Sequence, residues 1–446
     1  MTDYSKGPLA GIRVIGLGSI IAGPMAGQIL AEMGADVIKV EPPDGDPWRQ
    51  ASPYVPNESR VFLPLNRGAR SICLDLRKPE GQAVLARLIK SADASISNHR
   101  PDTAVRLKID YESLSKINPR LVCVEITAYG RKGPRADMPG FDLIMQGYAG
   151  AVAAEGKISP PTLALSAGAE EQAAAQGPGR GHPEPVWSSS YIDFATARAA
   201  ALAVLAGIIG RQRTGRGMKA ETSLLVNALD MQCLRVVRIE GSPSPVQKWV
   251  AEEWPAMKAR GATYEELQEE YQRVVRAPIY RTYYRAYRTK DGGLCLGTLL
   301  VPARLRLLEY FGVKDPRVQR PGFDENSPEG RRVATEVTAE FERRFAEQTT
   351  DFWFRELRAR DIPCEPVRFV EEMPDDEQTK ANGYVQTVEH AAGFAFTSSG
   401  PIVQFSDGMP PPRPSPALGQ HTREILSETG YSRAEADALI ESGAAR

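Results

Sequence analysis

The sequence predicts an α/β fold, with a Rossmann-like parallel sheet covered by helices. In the first 150 residues, short apolar runs alternate with segments in which apolar residues recur at helical spacing. The connections between these segments are short, as they are in βαβ units. A chain of 446 residues is also long enough for two domains, or for one large domain that carries an insertion.

The predicted strands of this region are short and apolar, and they span residues 12–17, 36–41, 70–76, 94–98 and 121–130. Helices are predicted between them, at residues 24–34, 79–93 and near 102–117. Gly34 ends the first helix, and Pro79 begins the second, in keeping with the residue preferences of helix termini. The apolar segment 192–217 predicts a long, largely buried helix.

Two later segments differ in composition from the first 150 residues. Residues 157–190 are rich in Pro, Gly, Ala and Gln, which predicts a long loop or insertion. Residues 245–335 are charged and aromatic and include the strand-like GGLCLGTLL, so we interpret them as a smaller second domain. A turn and strand are expected at 361–370, and the chain is expected to end in a helix that frays.

The bulk composition argues against several classes of partner. The net charge is −1, so no field of one sign favours nucleic acid or an anionic membrane. The first residues lack an export signal, and the longest apolar run, 199–210, is shorter than the roughly 20 residues that span a bilayer. The five cysteines include no CxxC pair and the four histidines are dispersed. We therefore expect a cytoplasmic protein with no nucleic-acid or membrane partner and no metal.

The stretch VIGLGSIIAGP, residues 14–24, is similar at first sight to a dinucleotide-binding fingerprint. That fingerprint requires Gly-x-Gly-x-x-Gly before a helix and an acid about 20 residues later. Gly16, Gly18 and the later Glu41 fit this pattern, but Ile21 occupies the third glycine position and the next glycine comes two residues late. The match is weak, and it disfavours a nicotinamide or flavin enzyme.

The same segment carries a closer resemblance. Residues 7–49 resemble the N-terminus of the class III CoA-transferases, the family of formyl-CoA transferase and the CaiB/BaiF proteins. Seven further motifs resemble the family in the same order, at residues 65–81, 97–107, 111–122, 133–150, 211–225, 361–367 and 418–426. Their order identifies the sequence as a member of the family, although residues 157–190 and about 240–290 match poorly.

The resemblance implies an architecture beyond the parallel sheet. It implies a large CoA-binding domain built from both chain ends, residues 1–235 and 336–446, with the smaller α+β domain at 245–335 inserted between them. It also implies an interlocked homodimer, in which the small domain of one chain covers the site of the other.

The resemblance further implies that Asp193 is a covalent nucleophile. From the residues alone, an Asp ahead of a long apolar helix is more often an N-cap. A carboxylate with an ordinary pKa of about 3.9 is ionised and needs no general base. It would attack an acyl-CoA to form a mixed anhydride and then an aspartyl-CoA thioester, with backbone N–H groups of the helix start stabilising the oxyanions. Coenzyme A is then a substrate, and no tightly bound cofactor is expected.

The family's motifs also predict residues that contact coenzyme A, whose phosphates favour arginine. These residues are Ile21, Ala22, Leu74, Arg77, Asn98, His99, Arg100 and Arg106, with Gly140, Phe141 and Asp142 near the thioester end. From the residues alone, the arginines could equally be solvated surface charges, and Asn98 could be a turn residue that ends a strand.

Two departures from the family pattern bear on the substrate. The formyl-CoA transferase branch has a glutamine at Ile21 and a tyrosine at Phe141, so a more apolar acyl pocket is expected and oxalate and formate are disfavoured. That branch also has a glycine-rich lid, and no such run occurs in this sequence. Residues 279–288 or the insertion 157–190 could cover the site instead, although 279–288 could equally be an amphipathic edge segment with solvated arginines. Related racemases carry a histidine at Phe141, which argues against racemisation. A racemase, isomerase or hydrolase and a non-catalytic CoA-binding protein are the alternatives.

Overall fold

The computed structural model describes residues 6–156, 189–275 and 279–446, together with the backbone of 158–159, 182–183 and 278. Most of the predicted insertion at 157–190 lies outside the described residues. The chain forms two compact units, one of Met1–Val237 with Pro374–Arg446 and the other of Arg238–Met373. The large unit therefore contains both chain ends, as predicted. The interlocked dimer stays a prediction.

The strands in chain order are β1 (Arg13–Gly16), β2 (Asp36–Glu41), β3 (Pro53–Val55), β4 (Glu58–Ser59), β5 (Arg70–Cys73), β6 (Ala94–Ser97), β7 (Val122–Thr127), β8 (Ile158–Ser159), β9 (His182–Pro183), β10 (Met218–Ser223), β11 (Tyr284–Arg288), β12 (Gly293–Gly297), β13 (Cys364–Pro366), β14 (Val385–His390) and β15 (Phe394–Ser399).

The α-helices in chain order are α1 (Ala22–Glu32), α2 (Pro79–Lys90), α3 (Pro101–Arg106), α4 (Tyr111–Ile117), α5 (Asp142–Tyr148), α6 (Ala151–Glu155), α7 (Tyr191–Thr214), α8 (Leu224–Asp230), α9 (Cys233–Val236), α10 (Pro245–Ala259), α11 (Tyr264–Val275), α12 (Pro278–Tyr283), α13 (Val301–Phe311), α14 (Pro316–Gln319), α15 (Pro328–Phe345), α16 (Thr350–Arg358), α17 (Glu377–Ala381), α18 (Thr422–Glu428) and α19 (Arg433–Glu441).

Six strands of the large unit form one parallel sheet, in the order β10-β7-β6-β1-β2-β5. The predicted α/β fold is therefore confirmed, and all five predicted strands belong to this sheet. From β1 the chain continues to β2 and β5 on one side and later crosses to β6 on the other side. Ligands of open α/β sheets bind at the carboxyl ends of the strands beside such a reversal of strand order.

Helices cover both faces of this sheet. Val14 packs with α1 and α7 on one face, whereas its neighbour Ile15 packs with α2, α4, α18 and α19 on the other. Strands buried on both faces contain continuous apolar runs, which is why the sequence of β1 does not alternate with polar residues.

Helix α7 is the predicted long helix, and it ends at Gly215, which has a left-handed φ of 69°. It has the length and apolar composition of a membrane-spanning helix. Here Ala197, Ala200, Val204 and Ile208 of this helix are buried in the core that covers the sheet. No other helix in the described part of the chain is both long enough and apolar enough to span a membrane.

Several predicted boundaries differ from the structure. The helix near 102–117 is divided into α3 and α4, because Lys108 adopts a left-handed φ of 54° and Asp110 caps α4 by accepting a hydrogen bond from the Ser113 N–H. Helix α1 begins at Ala22, two residues before its predicted start. The C-terminal tail does not fray, because Ala445 is buried and pairs with Leu74 beside β5.

The smaller unit contains a three-stranded antiparallel sheet in the order β11-β12-β13. Its core contains Tyr287, Phe341, Phe345 and Trp353. It extends beyond the predicted boundary at 335, because α15 crosses that position and β13 completes the sheet. The segment 279–288 spans most of α12 and the edge strand β11, and its role as a cover for the site stays a prediction.

Candidate active site

The loop after β1 is fixed by a side chain that follows β6. The Asn98 Oδ1 accepts a hydrogen bond from the Ser19 N–H at 2.9 Å, and its Nδ2 donates to the Ser19 carbonyl at 2.8 Å. A Cβ at Gly18 would lie 2.7 Å from the Asn98 Oδ1, and a Cβ at Gly23 would lie 3.1 Å from the Gly18 Cα. The two glycines therefore allow Asn98 to approach the loop closely.

Glu41, the acid that could mimic a ribose-binding residue, is occupied elsewhere. Its carboxylate accepts two hydrogen bonds from the Arg49 guanidinium, at 2.7 and 2.9 Å, and one from the Ser71 hydroxyl at 2.6 Å. The Glu41 side chain is only 1% exposed. Both features that are similar to a dinucleotide fingerprint thus have other roles in this fold.

Asp193 lies in the first turn of α7, but it does not cap the helix. The N-cap is Ser190, whose side chain makes no capping hydrogen bond. The buried carboxylate of Asp142 caps the helix instead, because its Oδ2 accepts hydrogen bonds from the N–H groups of Ile192 at 2.8 Å and Asp193 at 3.1 Å. Among the described residues, none donates a hydrogen bond to the Asp193 carboxylate, so this group is available for chemistry.

The same contacts correct one expectation about the oxyanions. The N–H groups of Ile192 and Asp193 donate to Asp142, and the N–H of Phe194 donates to the Ser190 carbonyl at 3.0 Å. These three groups at the start of α7 are therefore not free to stabilise an oxyanion, and the prediction is wrong for them.

The charge state of Asp193 also differs from the expectation of an ordinary carboxylate. Burial raises the pKa of Asp193, and the nearby negative charge of Asp142 raises it further, to about 7. The group is therefore only partly ionised at neutral pH. Its anion is also more basic, and so more nucleophilic, than that of an exposed aspartate.

A cavity of about 110 Å³ lies beside Asp193. It brings together six of the residues predicted from the family's motifs: Ile21, Ala22, Asn98, Gly140, Phe141 and Asp193. The rest of its lining consists of Ser19, Ile20, Ile126, Thr127, Ala128 and Leu224. We call this cavity the acyl pocket. Asp193 is the only ionisable group among the described residues that line it.

A larger cleft of about 910 Å³ opens at the same edge of the sheet. It is lined by four more of the predicted residues, Leu74, Arg77, His99 and Arg106. The Arg77 side chain is 78% exposed and is oriented by an ion pair with Asp75, in which the Arg77 Nε lies 2.8 Å from the Asp75 Oδ1. Arg106 is exposed and has no ion-pair partner within the described parts of the chain.

Lys78 and Lys108 also line this cleft, and sequence reasoning missed both. A signal for them was present, because each lies within two residues of a predicted arginine, in DLRK and VRLK. Together with Arg77 and Arg106 they place four cationic side chains around a cleft that three acids also line, and we call it the basic cleft.

Neighbouring residues line the two cavities. Leu17 and His99 line the basic cleft, whereas Ser19 and Asn98 line the acyl pocket. Burial lowers the pKa of His99 and so favours its neutral form, although the hydrogen bond from its ring to the Leu17 backbone opposes this shift. An anionic group in the basic cleft and a reactive group beside Asp193 would therefore be separated by only this stretch of the sheet edge.

Two predicted contact residues lie outside both cavities. The Arg100 guanidinium donates to the Asp137 carbonyl at 3.2 Å and lies 3.4 Å from the Asp102 carboxylate. Asp142 is buried behind the acyl pocket and acts on Asp193 as described above. Among the residues that the structure describes, no group of three or more His, Cys, Asp or Glu side chains is close enough to hold a metal ion.

Comparisons with known proteins agree on one family. Residues 9–422 match the family model of CoA-transferase family III. It is 30% identical over 450 residues to succinate–glutarate CoA-transferase from Agrobacterium fabrum, with 96% of this chain and 98% of that protein covered. It is 28% identical to cinnamoyl-CoA:phenyllactate CoA-transferase from Clostridium sporogenes, with 96% and 95% covered. A solved CaiB/BaiF family protein from Brucella suis superposes with a TM-score of 0.68 and 26% identity, covering 95% of this chain and 99% of that one.

Proposed function

The chain belongs to CoA-transferase family III, and on this premise we propose that it moves coenzyme A from an acyl-CoA to a free carboxylic acid through a covalent intermediate on Asp193. The observation that carries the proposal is the pairing of Asp193, in a largely uncharged pocket, with an adjoining cleft that has four cationic side chains. The protein is accordingly an enzyme of the transferase class that uses coenzyme A as a substrate.

The proposed reaction has four steps in which atoms and charges balance. The Asp193 carboxylate attacks the thioester carbonyl and expels the CoA thiolate, which leaves a mixed anhydride. The thiolate attacks the aspartyl carbonyl, releases the donor acid as its carboxylate and forms an aspartyl-CoA thioester. The acceptor carboxylate then attacks this thioester and expels the thiolate again. Attack of the thiolate on the acceptor's carbonyl yields the new acyl-CoA and restores Asp193.

The surroundings of Asp193 support this role. A carboxyl group attacks as its carboxylate, and a more basic carboxylate is more reactive. A carboxyl group with a pKa of about 7 is both partly ionised at neutral pH and more basic than an exposed aspartate. The basic cleft supports the binding of coenzyme A, because guanidinium and ammonium groups bind phosphates by charge-assisted hydrogen bonds.

The lining of the acyl pocket supports an uncharged, apolar acyl group. Ile20, Ile21 and Phe141 form part of its wall, and Phe141 is 60% exposed. The two relatives differ in the acids they are named for, since one is named for dicarboxylates and the other for aromatic acids. The pocket favours acids of the second kind, because the described residues of the wall offer no cation to a distal carboxylate.

The racemase alternative is less well supported. A two-base mechanism needs a titratable group on each face of the substrate, but Asp193 is the only ionisable side chain in the described wall of the acyl pocket. Incubation of an α-branched acyl-CoA in deuterium oxide separates the two reactions, because a racemase incorporates deuterium at the α-carbon and a transferase does not.

An acceptor competition tests the proposed function. The protein is incubated with one acyl-CoA and equal concentrations of an aromatic or branched monocarboxylate, glutarate, oxalate and formate, and the new CoA esters are quantified. We expect the apolar monocarboxylate to be the best acceptor. The absence of any new CoA ester would contradict the transferase function, and a preference for oxalate or formate would contradict the apolar pocket.

A further inference from the structure

The loop that forms one wall of the acyl pocket contains a residue in an unusual backbone conformation. Ile20 has a φ of 71°, in the left-handed region that L-residues with branched side chains rarely adopt. Such a conformation persists only where the surrounding structure imposes it, and it is concentrated at functional sites. Ile20 lines the pocket beside Asp193, so its conformation determines the shape of that wall.

Asp46 holds the Ile20 backbone from one side of the loop, whereas Asn98 holds the preceding residue, Ser19, from the other. The Ile20 N–H donates to the Asp46 carboxylate, at 3.1 Å from Oδ2 and 3.3 Å from Oδ1. The Asp46 side chain is 1% exposed and forms an ion pair with Lys39, whose Nζ lies 2.8 Å from Oδ2. Lys39 also donates to the Gly18 carbonyl at 3.2 Å, so this buried pair holds the loop at two points.

The position of Asp46 explains why it acts only through the loop. Asp46 does not line the acyl pocket, and its carboxylate is occupied by Ile20, by Lys39 and by the Trp48 N–H at 2.9 Å. It therefore has no described contact with the space in which a substrate would react. Its effect on the reaction must pass through the backbone of the loop.

We propose that Ile20 is a specificity-determining residue for the acyl group and that Asp46 is the positioning residue that fixes Ile20 in its left-handed conformation. This inference rests on the proposed function, because it concerns the acyl substrate of the same site. The Ile20 side chain contacts the acyl group, and Asp46 and Lys39 add to the two hydrogen bonds from Asn98 that hold the backbone of the loop. Neither residue lines the basic cleft, so we expect coenzyme A to bind there with little dependence on either side chain.

Three single variants and the double variant Asp46→Asn with Ile20→Gly test the inference. Asp46→Asn weakens the hold on the Ile20 N–H, and Ile20→Gly removes the side chain while leaving the Lys39–Asp46 pair intact. Ser52→Gly is the matched control, because Ser52 also has a left-handed φ, of 52°, but lines neither cavity. For each, kcat/KM is measured with a bulky apolar acceptor acid and with acetate, and the Kd of free CoA is measured by calorimetry.

We expect kcat/KM for the bulky acid, divided by kcat/KM for acetate, to fall by about tenfold in both Asp46→Asn and Ile20→Gly. Small changes in an apolar pocket have effects of this size on selectivity. The Kd of CoA should stay within about twofold of the original value, since lost contacts outside the cleft do not affect it. The double variant should be no less selective than Ile20→Gly alone, because both substitutions act through one side chain. Ser52→Gly should change neither quantity.

Two results would overturn the inference. One is an unchanged ratio in Ile20→Gly, and the other is a double variant in which the two losses of selectivity multiply. If Asp46→Asn does not fold, Ile20→Gly still decides whether Ile20 determines specificity. If no acid accepts CoA at all, the proposed function fails. The link between Asp46 and Ile20 is then tested by thermal unfolding. Ile20→Gly should raise the Tm more in the original protein than in the Asp46→Asn background.

Discussion

The carboxylate of Asp142 accepts a hydrogen bond from the backbone N–H of Asp193 at 3.1 Å, while its charge disfavours the ionised form of the Asp193 side chain. One buried acid thus fixes the start of α7 and raises the pKa of its neighbour. Burial is the larger cause of the raised pKa of Asp193, and the charge of Asp142 adds to it. Together they determine the predicted pH dependence of the reaction, because only the Asp193 anion attacks a thioester.

Replacement of Asp142 by asparagine should move the acidic limb of the pH profile. In the original protein, kcat/KM should decrease as the pH falls through about 7, the pKa of Asp193 in the free protein. Asp142→Asn keeps an oxygen that can accept the two N–H groups but removes the charge, so the midpoint should move to lower pH. The measurement is kcat/KM for an acyl-CoA between pH 5 and 9. An unchanged midpoint would show that Asp142 does not control the ionisation of Asp193.

Replacement of Asp193 by asparagine should stabilise the fold at high pH. A carboxyl whose folded-state pKa is raised contributes stability that is present at low pH and lost as the pH rises through the folded-state value. For Asp193 the ordinary pKa is 3.8 and the folded-state pKa is about 7, so the stability is lost between these two pH values. The loss in the free energy of unfolding is about 4 kcal/mol. Asp193→Asn cannot ionise, so its advantage in the free energy of unfolding should grow from pH 5 to pH 8.

Urea unfolding at several pH values measures this difference. Asp44→Asn, which changes an acid in the basic cleft and not in the acyl pocket, provides a control for the loss of one negative charge. A difference between Asp193→Asn and the original protein that stays constant with pH would show that the pKa of Asp193 is not raised.

Replacement of Arg106 by alanine should weaken CoA binding. Arg106 lines the basic cleft without an ion-pair partner among the described residues, so it is available to a phosphate. Loss of one charge-assisted hydrogen bond should raise the Kd of CoA by about tenfold or more. Lys90→Ala is the control, because this exposed lysine at the end of α2 lies outside the lining of the cleft. Equal effects of both substitutions in calorimetry would indicate a general effect of charge and not a phosphate site.

Replacement of Gly18 by alanine should destabilise the protein. The new Cβ would lie 2.7 Å from the Asn98 Oδ1, so the hydrogen bonds between Asn98 and Ser19 must distort. Steric crowding of this kind lowers stability by roughly 1–3 kcal/mol. Gly147→Ala is the control, because a Cβ there meets nothing within 4 Å and alanine favours the helix. Thermal unfolding should show a lower Tm for the first variant only, and an unchanged Tm for Gly18→Ala would contradict the role given to this glycine.

The sheet could be predicted because its strands are buried on both faces and therefore read as apolar runs between helices with recognisable ends. The boundary of the smaller unit could not be predicted in the same way. The segment 245–335 differs in composition, but the helices α15 and α16 that complete its core have ordinary amphipathic sequences. The pairing of β13 with β12 shows that the unit continues well past residue 335, and it ends at Met373.

The motifs predicted which residues line the candidate site. They did not predict how neighbouring residues change the chemistry of those side chains. Six predicted residues meet in the acyl pocket and four in the basic cleft. The ionisation of Asp193 depends on burial and on Asp142, which is 51 positions away in the sequence. The occupied N–H groups of α7 and the left-handed conformation of Ile20 likewise arise from long-range hydrogen bonds that no local pattern contains.

Mass spectrometry of the protein, after incubation with a panel of acyl-CoAs and trapping with hydroxylamine or borohydride, tests whether Asp193 is the covalent nucleophile. We expect a modified peptide centred on Asp193, formed with the acyl-CoAs that serve as donors and absent in Asp193→Ala. Binding of CoA without modification of Asp193 by any acyl-CoA, or transfer of CoA by Asp193→Ala at the original rate, would contradict this role.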